Sequence, residues 1–135
     1  MIKLKSLIEN INWDKKYLKV SGNIDGLKIL NDIPNTSSIR ASLIDYEILK
    51  GIRKIPIKEF DAKPRDLFYA KNDLDKVREL AEAIKESKEI KPLIVVIDKE
   101  GLYILEGAHR LGALYLVGVK YIPAMVVLDL ESLND

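Results

Sequence analysis

Apolar residues recur every three or four positions in one long stretch of the chain, which is the spacing of a helix with one buried face. This helix is predicted to begin at a cap at Asn72 or Asp73, to carry acidic residues in its first turn and to end near Ser87. Its apolar face is formed by Leu74, Val77, Leu80, Ala81 and Ile84. The helix is expected to end before Pro92, which cannot continue it.

The same spacing predicts two further helices. The earlier one is predicted to have Ser37 or Ser38 as its N-cap and to end at Gly51. Its apolar positions are Ile39, Leu43, Tyr46 and Leu49. The later one is predicted over residues 109–117, with Gly118 at the position where a left-handed residue ends a helix.

Short runs rich in β-branched residues predict the strands, which lie at residues 17–20, 52–57, 93–97, 102–105 and 121–128. The run at 93–97 has no polar residue, as in a strand buried on both faces, and a turn joins it to the next strand as a hairpin. Pro56 confines its strand to an edge of the sheet or to the end of the strand. From residue 72 onward the order is helix, strand, strand, helix, strand. This order predicts an α+β, or mixed α/β, fold with a small sheet.

Length and turn composition predict how the chain is divided. The 135 residues suit one domain with an extension. Turn-forming residues cluster at 21–26 and again at 31–35. We therefore expect an N-terminal extension of residues 1–36 and a domain of residues 37–135.

The composition narrows the kinds of site and partner. The chain has no cysteine and one histidine, which excludes disulfides and thiolate chemistry and disfavours zinc. No apolar run approaches the roughly 20 residues of a membrane span, and the first residues lack the apolar block of a signal peptide. We therefore expect a cytoplasmic protein with no membrane partner. The net charge of +1 weighs against unaided binding of duplex DNA.

The segment from Glu106 to Arg110 lies where a predicted strand turns directly into a helix. The first turn of a helix leaves N–H groups unpaired and carries partial positive charge, so it attracts anions. Gly107 lets a ligand approach the backbone, Arg110 supplies a fork of donors that matches phosphate, and His109 adds a further donor. These features predict a phosphate site. A simple turn with solvated side chains, and an ordinary first-turn acid at Glu106, are the alternatives.

The window from residue 52 to residue 128 resembles the ParB/sulfiredoxin fold superfamily. Its landmarks here are Ala83 to Ile84, Pro92, Gly101-Leu102-Tyr103, Gly107 to Arg110, Gly118 and Ile122-Pro123. In that superfamily the Gly-x-x-Arg corner holds the phosphates of CTP in partition proteins, of ATP in sulfiredoxins and of ADP in a free-serine kinase of archaea. The resemblance therefore implies an α+β fold of that kind and ATP, ADP or CTP as the ligand.

The resemblance also names binding residues. The segment GAHR is similar to GCHR of sulfiredoxins and to GHHR of the kinase, so Gly107, His109 and Arg110 carry over directly, with Ala108 between them. Three more basic residues become candidates by similarity to other binding segments of the superfamily: Lys76 in the long helix, Arg65 in KPRDLF, and Lys91 before Pro92.

Departures from the superfamily limit the implied activity. Ala108 stands where sulfiredoxins have their nucleophilic cysteine, so repair of peroxiredoxins is excluded. Glu106 replaces the aspartate of the kinase, and Glu47 and Glu59 match its second acid only by rough position. No helix–turn–helix follows the module in this sequence, so we do not expect it to read a DNA site alone.

Two functions remain open after these departures. In the first, an enzyme transfers a phosphoryl group from the nucleotide to a small hydroxyl compound or to water, with Glu106 and His109 as catalytic residues. Glu106 would accept the proton of the attacking hydroxyl or hold a Mg²⁺ ion that bridges the phosphates, and a purely structural carboxylate is its alternative role. In the second, the domain is a nucleotide switch that docks on DNA or on a partner protein, as partition and nuclease-type modules do. A pocket without chemistry is a third possibility, and formation of a homodimer stays open.

Overall fold

A sheet of six strands lies at the centre of the protein. The computed structural model describes residues 11–31, 35–60 and 71–135. In chain order the described helices are α1 (Trp13–Lys16), α2 (Ser37–Ser42), α3 (Lys71–Ser87), α4 (Ala108–Val117) and α5 (Leu130–Leu133). The described strands are β1 (Lys19–Val20), β2 (Asn23–Ile24), β3 (Leu27–Ile29), β4 (Tyr46–Ile48), β5 (Ile52–Pro56), β6 (Glu89–Ile90), β7 (Leu93–Asp98), β8 (Gly101–Glu106) and β9 (Tyr121–Asp129). A 3₁₀ turn (Ile57–Glu59) follows β5.

Strand β9 has neighbours on both sides in this sheet, whose main order is β1-β5-β9-β7-β8. On one side it runs parallel to β7, and β8 pairs with β7 as the predicted hairpin. On its other side it pairs antiparallel with β5 near its start and with β4 near its end. Helix α4 connects β8 to β9, so the first turn of α4 lies directly at the end of the edge strand β8.

Strand β7 is buried on both faces because its side chains enter two separate apolar clusters. Leu93, Val95 and Ile97 belong to the larger cluster, to which α3 and α4 contribute. Ile94 and Val96 belong to a smaller cluster with residues of α2. Successive side chains of a strand point to opposite faces, so a strand covered on both faces needs an uninterrupted apolar run. The predicted buried strand and the α+β fold class are confirmed.

Residues 11–31 pair with the rest of the protein through two sets of strands. Strand β1 pairs with β5, and β2, β3 and β6 form a second sheet in which β3 runs parallel to β6. The side chain of Arg53 on β5 is 3% exposed and forms an ion pair with Asp14 of α1. Its guanidinium also donates to the backbone oxygens of Tyr17 and Lys50. These bonds hold the predicted extension against the sheet, while the boundary at residue 36 stays a prediction.

The helix predicted to run as far as Gly51 is wrong beyond Ser42. Leu43 ends α2 in an extended conformation, and Tyr46 begins β4, which pairs with the end of β9. Leu43 and Tyr46 both pack in the smaller apolar cluster, Leu43 from a turn and Tyr46 from a strand. Their three-residue spacing therefore resembles that of a helix although neither residue lies in one. Pairing with β9 prevails over the local period. The N-cap is Thr36, one residue before the predicted serines.

The other predicted elements are confirmed, and the ends of the strands and of α4 differ by two residues or fewer. The cap predicted for α3 at Asn72 or Asp73 is wrong, because both residues lie inside that helix. Gly118 ends α4 with a φ of 90°, as predicted. Elements α1, β2, β3, β6 and α5 were not predicted, because segments this short show no period. None of the helices in the described ranges is both long and apolar enough to cross a bilayer.

Candidate functional site

The strand β8 turns into helix α4 at Gly107. Strand β8 ends at Glu106, Gly107 has a φ of 102°, and α4 begins at Ala108. The backbone N–H of Leu111 donates to the carbonyl oxygen of Gly107 at an N···O distance of 2.9 Å, which closes the first helical turn. Glycine adopts a positive φ with little strain. The strand-to-helix corner predicted from the sequence is therefore present, and its helix starts one residue earlier than predicted.

Side chains packed around Gly107 also require a glycine there. A β-carbon at this position would lie 2.8 Å from Cγ of Leu93 and 3.0 Å from Nη2 of Arg110. The Arg110 side chain thus turns back over the corner, in the direction that long helical side chains take toward the helix start. The space that a methyl group would occupy holds the guanidinium close to the backbone of the corner.

The guanidinium of Arg110 is half-buried and only partly satisfied by protein groups. Its Nη1 donates to the carbonyl oxygen of Pro92 at 2.9 Å. Burial lowers the pKa of Arg110, and the negative charge of Glu106 opposes that shift. A guanidinium has five N–H donors, and the described parts of the chain offer Arg110 no second hydrogen bond. The remaining donors can therefore bind an oxyanion.

The starts of α3 and α4 meet at His109. Its Nε2 lies 3.3 Å from Oδ1 of Asp73, which stands in the first turn of α3, and both side chains are partly exposed. Two helix starts in one place add their partial positive charges there. The carboxylate of Asp73 offsets part of that charge and orients the imidazole. The sequence analysis considered Asp73 only as a cap of α3 and did not predict its contact with His109. The one available signal was an acidic residue in the first turn of that helix.

Glu106 has one carboxylate oxygen without a protein partner. Its Oε2 is buried and makes no hydrogen bond to the described residues. Such an oxygen fits a hard cation such as Mg²⁺, which proteins often hold with one or two carboxylates and the phosphates of a ligand. Three or more His, Asp or Glu side chains do not come together anywhere in the described chain as a metal cage. The described residues thus offer a cation one carboxylate oxygen at this corner and no complete cage.

A cavity of about 200 Å³ opens beside Arg110. Its lining residues come from α3, from the first turn of α4, from the segment around β6 and from the residue after β3: Leu30, Leu80, Ala83, Ile84, Ser87, Glu89, Ile90, Lys91 and Arg110. Most of this lining is aliphatic. The structure thus brings Lys91 and Arg110, both predicted as binding residues, to one cavity, and it adds Leu30, which sequence reasoning did not consider.

The remaining candidates lie in different places. Lys76 is exposed on α3, one turn beyond Asp73 and on the same helix face. Arg65 lies outside the described residues. Glu47 lies on β4 and pairs with Leu128 of β9, so β9 and β7 separate it from the edge strand β8 that carries the corner. The structure therefore does not bring Glu47 to the corner.

Glu59 faces the N-terminal segment. It lies close enough to Tyr17 to affect its titration, since burial and then the charge of Glu59 raise the pKa of that phenol. This places Glu59 beside Tyr17, the residue that ends α1.

The sequence matches a family model and a relative of known function. A family model described as the ParB N-terminal domain matches residues 35–134. The chromosome-partitioning protein ParB of Myxococcus xanthus (strain DK1622) is 31% identical over 97 residues, which cover 70% of this chain and 31% of that protein. The chain thus spans about a third of the length of that relative. The resemblance inferred from residues 52–128 is confirmed and extends to most of the chain.

A solved structure of sulfiredoxin from Arabidopsis thaliana also matches. It is 25% identical, with a TM-score of 0.44, and the match covers 56% of this chain and 82% of the sulfiredoxin chain.

Proposed function

Because the chain belongs to the ParB N-terminal domain family, we propose that it binds a nucleotide, with the phosphates at the start of α4 and the base in the cavity beside Arg110. One observation carries this proposal. The missing β-carbon of Gly107 leaves room for the Arg110 guanidinium against the first turn of α4, which also carries His109. Few other uses explain a half-buried arginine with unused donors at a helix start.

The phosphates would meet three kinds of donor at the corner. The unpaired N–H groups of the first turn of α4 point toward an oxyanion, and the helix dipole favours its charge. Arg110 supplies two parallel N–H groups, while His109 supplies a third donor held in place by Asp73. Lys76, one turn along α3, is long enough to add a positive charge to the outer phosphate.

The cavity supports a base beside these phosphates. Its volume of about 200 Å³ is below the roughly 300 Å³ of an ordinary ligand pocket, so it would enclose only one part of a ligand. Aliphatic walls suit a planar ring, and Lys91 and Arg110 lie at the polar side of the cavity. A nucleotide that bridges cavity and corner uses both features at once.

Binding is tested by following the melting temperature with ATP, ADP, CTP and GTP, each with and without Mg²⁺. We expect at least one nucleotide to raise the melting temperature by several degrees at about 100 times its Kd. Arg110→Ala should weaken that binding by about tenfold or more, because it removes charged hydrogen bonds. Arg78→Ala is the matched control, since Arg78 is an exposed arginine of α3 that pairs with Asp75. Absence of any shift, or equal loss in both variants, would contradict the proposal.

Phosphoryl transfer is the catalytic form of this proposal. The oxygen of an acceptor hydroxyl would bond to the terminal phosphorus as the bond to the leaving nucleotide oxygen breaks, and the hydroxyl proton would pass to Glu106. In the alternative role, Glu106 would instead help to hold a magnesium ion, which would neutralise part of the phosphate charge. The buried, unpartnered Oε2 of Glu106 supports a role for this carboxylate toward a ligand.

A nucleotide switch is the second form, and the similarity to a chromosome-partitioning protein favours it. The two forms are separated by assaying release of inorganic phosphate and phosphorylation of small alcohols. If the protein is an enzyme, Glu106→Gln should abolish turnover while nucleotide binding persists, and Glu100→Gln in the β7–β8 turn should leave both unchanged. Binding without turnover in the wild-type protein would exclude the enzyme and leave the switch or a pocket without chemistry.

A further inference from the structure

We propose that the N-terminal segment completes the nucleotide cavity, with Leu30 as the wall that contacts the base. This inference rests on the proposed function, since it names what one side of that cavity does. The family match begins at residue 35, and Leu30 lies before it. The remaining lining residues lie within the matched part of the chain. One wall of the cavity is therefore specific to the segment that precedes the family domain.

The backbone holds Leu30 firmly at this position. Strand β3 runs parallel to β6, with Ile29 opposite Ile90. The N–H of Leu30 donates to the carbonyl oxygen of Ile90 at 2.9 Å, and the N–H of Lys28 donates to that of Lys88 at 2.7 Å. Ile29 and Ile90 are both buried in the larger apolar cluster. Leu30 is thus fixed by the strand pairing and projects at the end of an anchored strand.

Because the cavity is small, the size of the Leu30 side chain should strongly affect which base fits. The cavity, about 200 Å³, is small enough that the bulk of each side chain decides which ring fits. Its aliphatic lining consists of Leu30, Leu80, Ala83, Ile84 and Ile90. One methylene more or less in an apolar pocket changes affinity by roughly 10-fold to 200-fold. Leu30 is therefore expected to govern affinity for the base without affecting the phosphate corner.

Occupation of the cavity also links the ligand to the docking of the segment. A ligand that contacts Leu30 on one side and α3 on the other binds only the docked state, so it stabilises that state by mass action. Opening of β3 from β6 exposes the N–H groups of Lys28 and Leu30 to exchange. We therefore expect nucleotide to slow hydrogen exchange at these amides.

The test compares binding of ATP, CTP, GTP and inorganic tripolyphosphate by calorimetry. Leu30→Phe should weaken the best nucleotide by about tenfold or more, because it fills the cavity, while tripolyphosphate binds as to the wild-type protein. Leu30→Ala should alter the ranking of the three nucleotides. Leu18→Phe, at a half-exposed leucine of the same segment outside the cavity, is the matched control and should bind as the wild type. Circular dichroism of each variant checks its folding.

The outcomes separate this inference from the proposed function. If nucleotides bind but Leu30→Phe and Leu30→Ala bind as well as the wild type, Leu30 is no part of the site and the inference is overturned while nucleotide binding stands. If tripolyphosphate and nucleotides bind equally well to the wild type, no base contact exists and the inference is again overturned. If no ligand binds, the proposed function fails and the inference fails with it. Slower exchange of the Lys28 and Leu30 amides with nucleotide, lost in Leu30→Phe, would support it.

Discussion

Gly107 serves both the backbone and the packing of the corner. Its φ of 102° turns the chain from β8 into α4, and its missing side chain leaves room for Leu93 and for the guanidinium of Arg110. Many helix starts need a residue of unusual conformation, but few also need the space above it empty of a β-carbon. The glycine and the arginine three residues later therefore form one unit, which explains why both belong to the same motif.

Replacement of Gly107 by alanine should destabilise the protein more than the same change at Gly118. Both positions have a positive φ, which costs alanine about 1–2 kcal/mol, but only Gly107 has neighbours within 4 Å of the added carbon. The contact at 2.8 Å with Leu93 should add about 1–3 kcal/mol. Urea denaturation of both variants measures the difference. An equal loss of unfolding free energy in the two variants would show that Leu93 and Arg110 move away from the added carbon at little cost.

The chemistry of His109 and Arg110 was visible in the sequence, whereas their partners were not. A histidine and an arginine at the start of a predicted helix indicate an anion site by residue type alone. Asp73 lies 36 positions from His109. Pro92 lies 18 positions from Arg110, and only its carbonyl oxygen takes part. A backbone oxygen carries no residue-type signal, so no pattern could have named it.

Arg53 joins helix α1 to the sheet by polar contacts. This buried guanidinium receives its negative partner, Asp14, from the surface and takes two backbone oxygens as further acceptors. A buried cation left without a partner is costly, so the ion pair links the position of α1 to the stability of the sheet. The link also bears on the cavity, because α1 and β3 belong to the same N-terminal segment.

Loss of this ion pair should show as a pH dependence of stability. The hydrogen bond and charge of Arg53 lower the pKa of Asp14 below its ordinary value of 3.8. A lowered carboxylate pKa stabilises the fold above pH 3.8 and ceases to do so as the pH falls through the folded-state value. Asp14→Asn should therefore be less stable than the wild type at pH 7, and the difference should shrink below about pH 4.

Urea denaturation of the wild type and Asp14→Asn at pH 7 and at pH 3 measures this effect. Asp45→Asn is the control, because it removes an exposed carboxylate that forms no ion pair with the described residues. A difference between Asp14→Asn and the wild type that stays constant over this pH range would refute the link.

Helix α2 and strand β4 show where the spacing of apolar residues fails to predict the secondary structure. The apolar spacing through residues 39–49 fits a helix, yet the chain leaves the helix at Leu43 to add β4 beside β9. Strand β9 is long enough to pair with β5 near its start and with β4 near its end. The free hydrogen-bonding groups beside the end of β9, which β4 pairs with, depend on how the whole sheet is assembled. In contrast, the apolar pattern of the sequence correctly predicts β7, β8, α4 and β9. In each of them the apolar residues lie on the faces that the element buries.

The charge balance of the protein bears on its partners. Its net charge is +1, with 22 basic and 21 acidic residues. Duplex DNA binding without sequence recognition depends on neutralising phosphates with an excess of basic residues. The nucleotide corner needs only a local group of donors, so it is compatible with this balance.

We therefore expect no retarded band when the protein without nucleotide is mixed with a 30-base-pair duplex of arbitrary sequence at 150 mM salt, up to about 10 µM protein. The mobility assay is repeated at about 50 mM salt, where screening is weaker. A band at low micromolar protein with a steep salt dependence would show a basic surface that the net charge conceals. The same assay with nucleotide present asks whether ligand binding exposes such a surface.

The sequence by itself determined that α3, β7, β8, α4 and β9 follow one another in this order, that β7 is buried, and that a glycine corner carries His109 and Arg110, because periodicity and glycine placement are local properties. The tertiary structure alone decided that Asp73 meets His109, that Arg110 turns onto Pro92 and that Leu30 closes the cavity. Those contacts join residues far apart in the chain. Their formation depends on how whole elements pack, and one stretch of sequence does not contain that information.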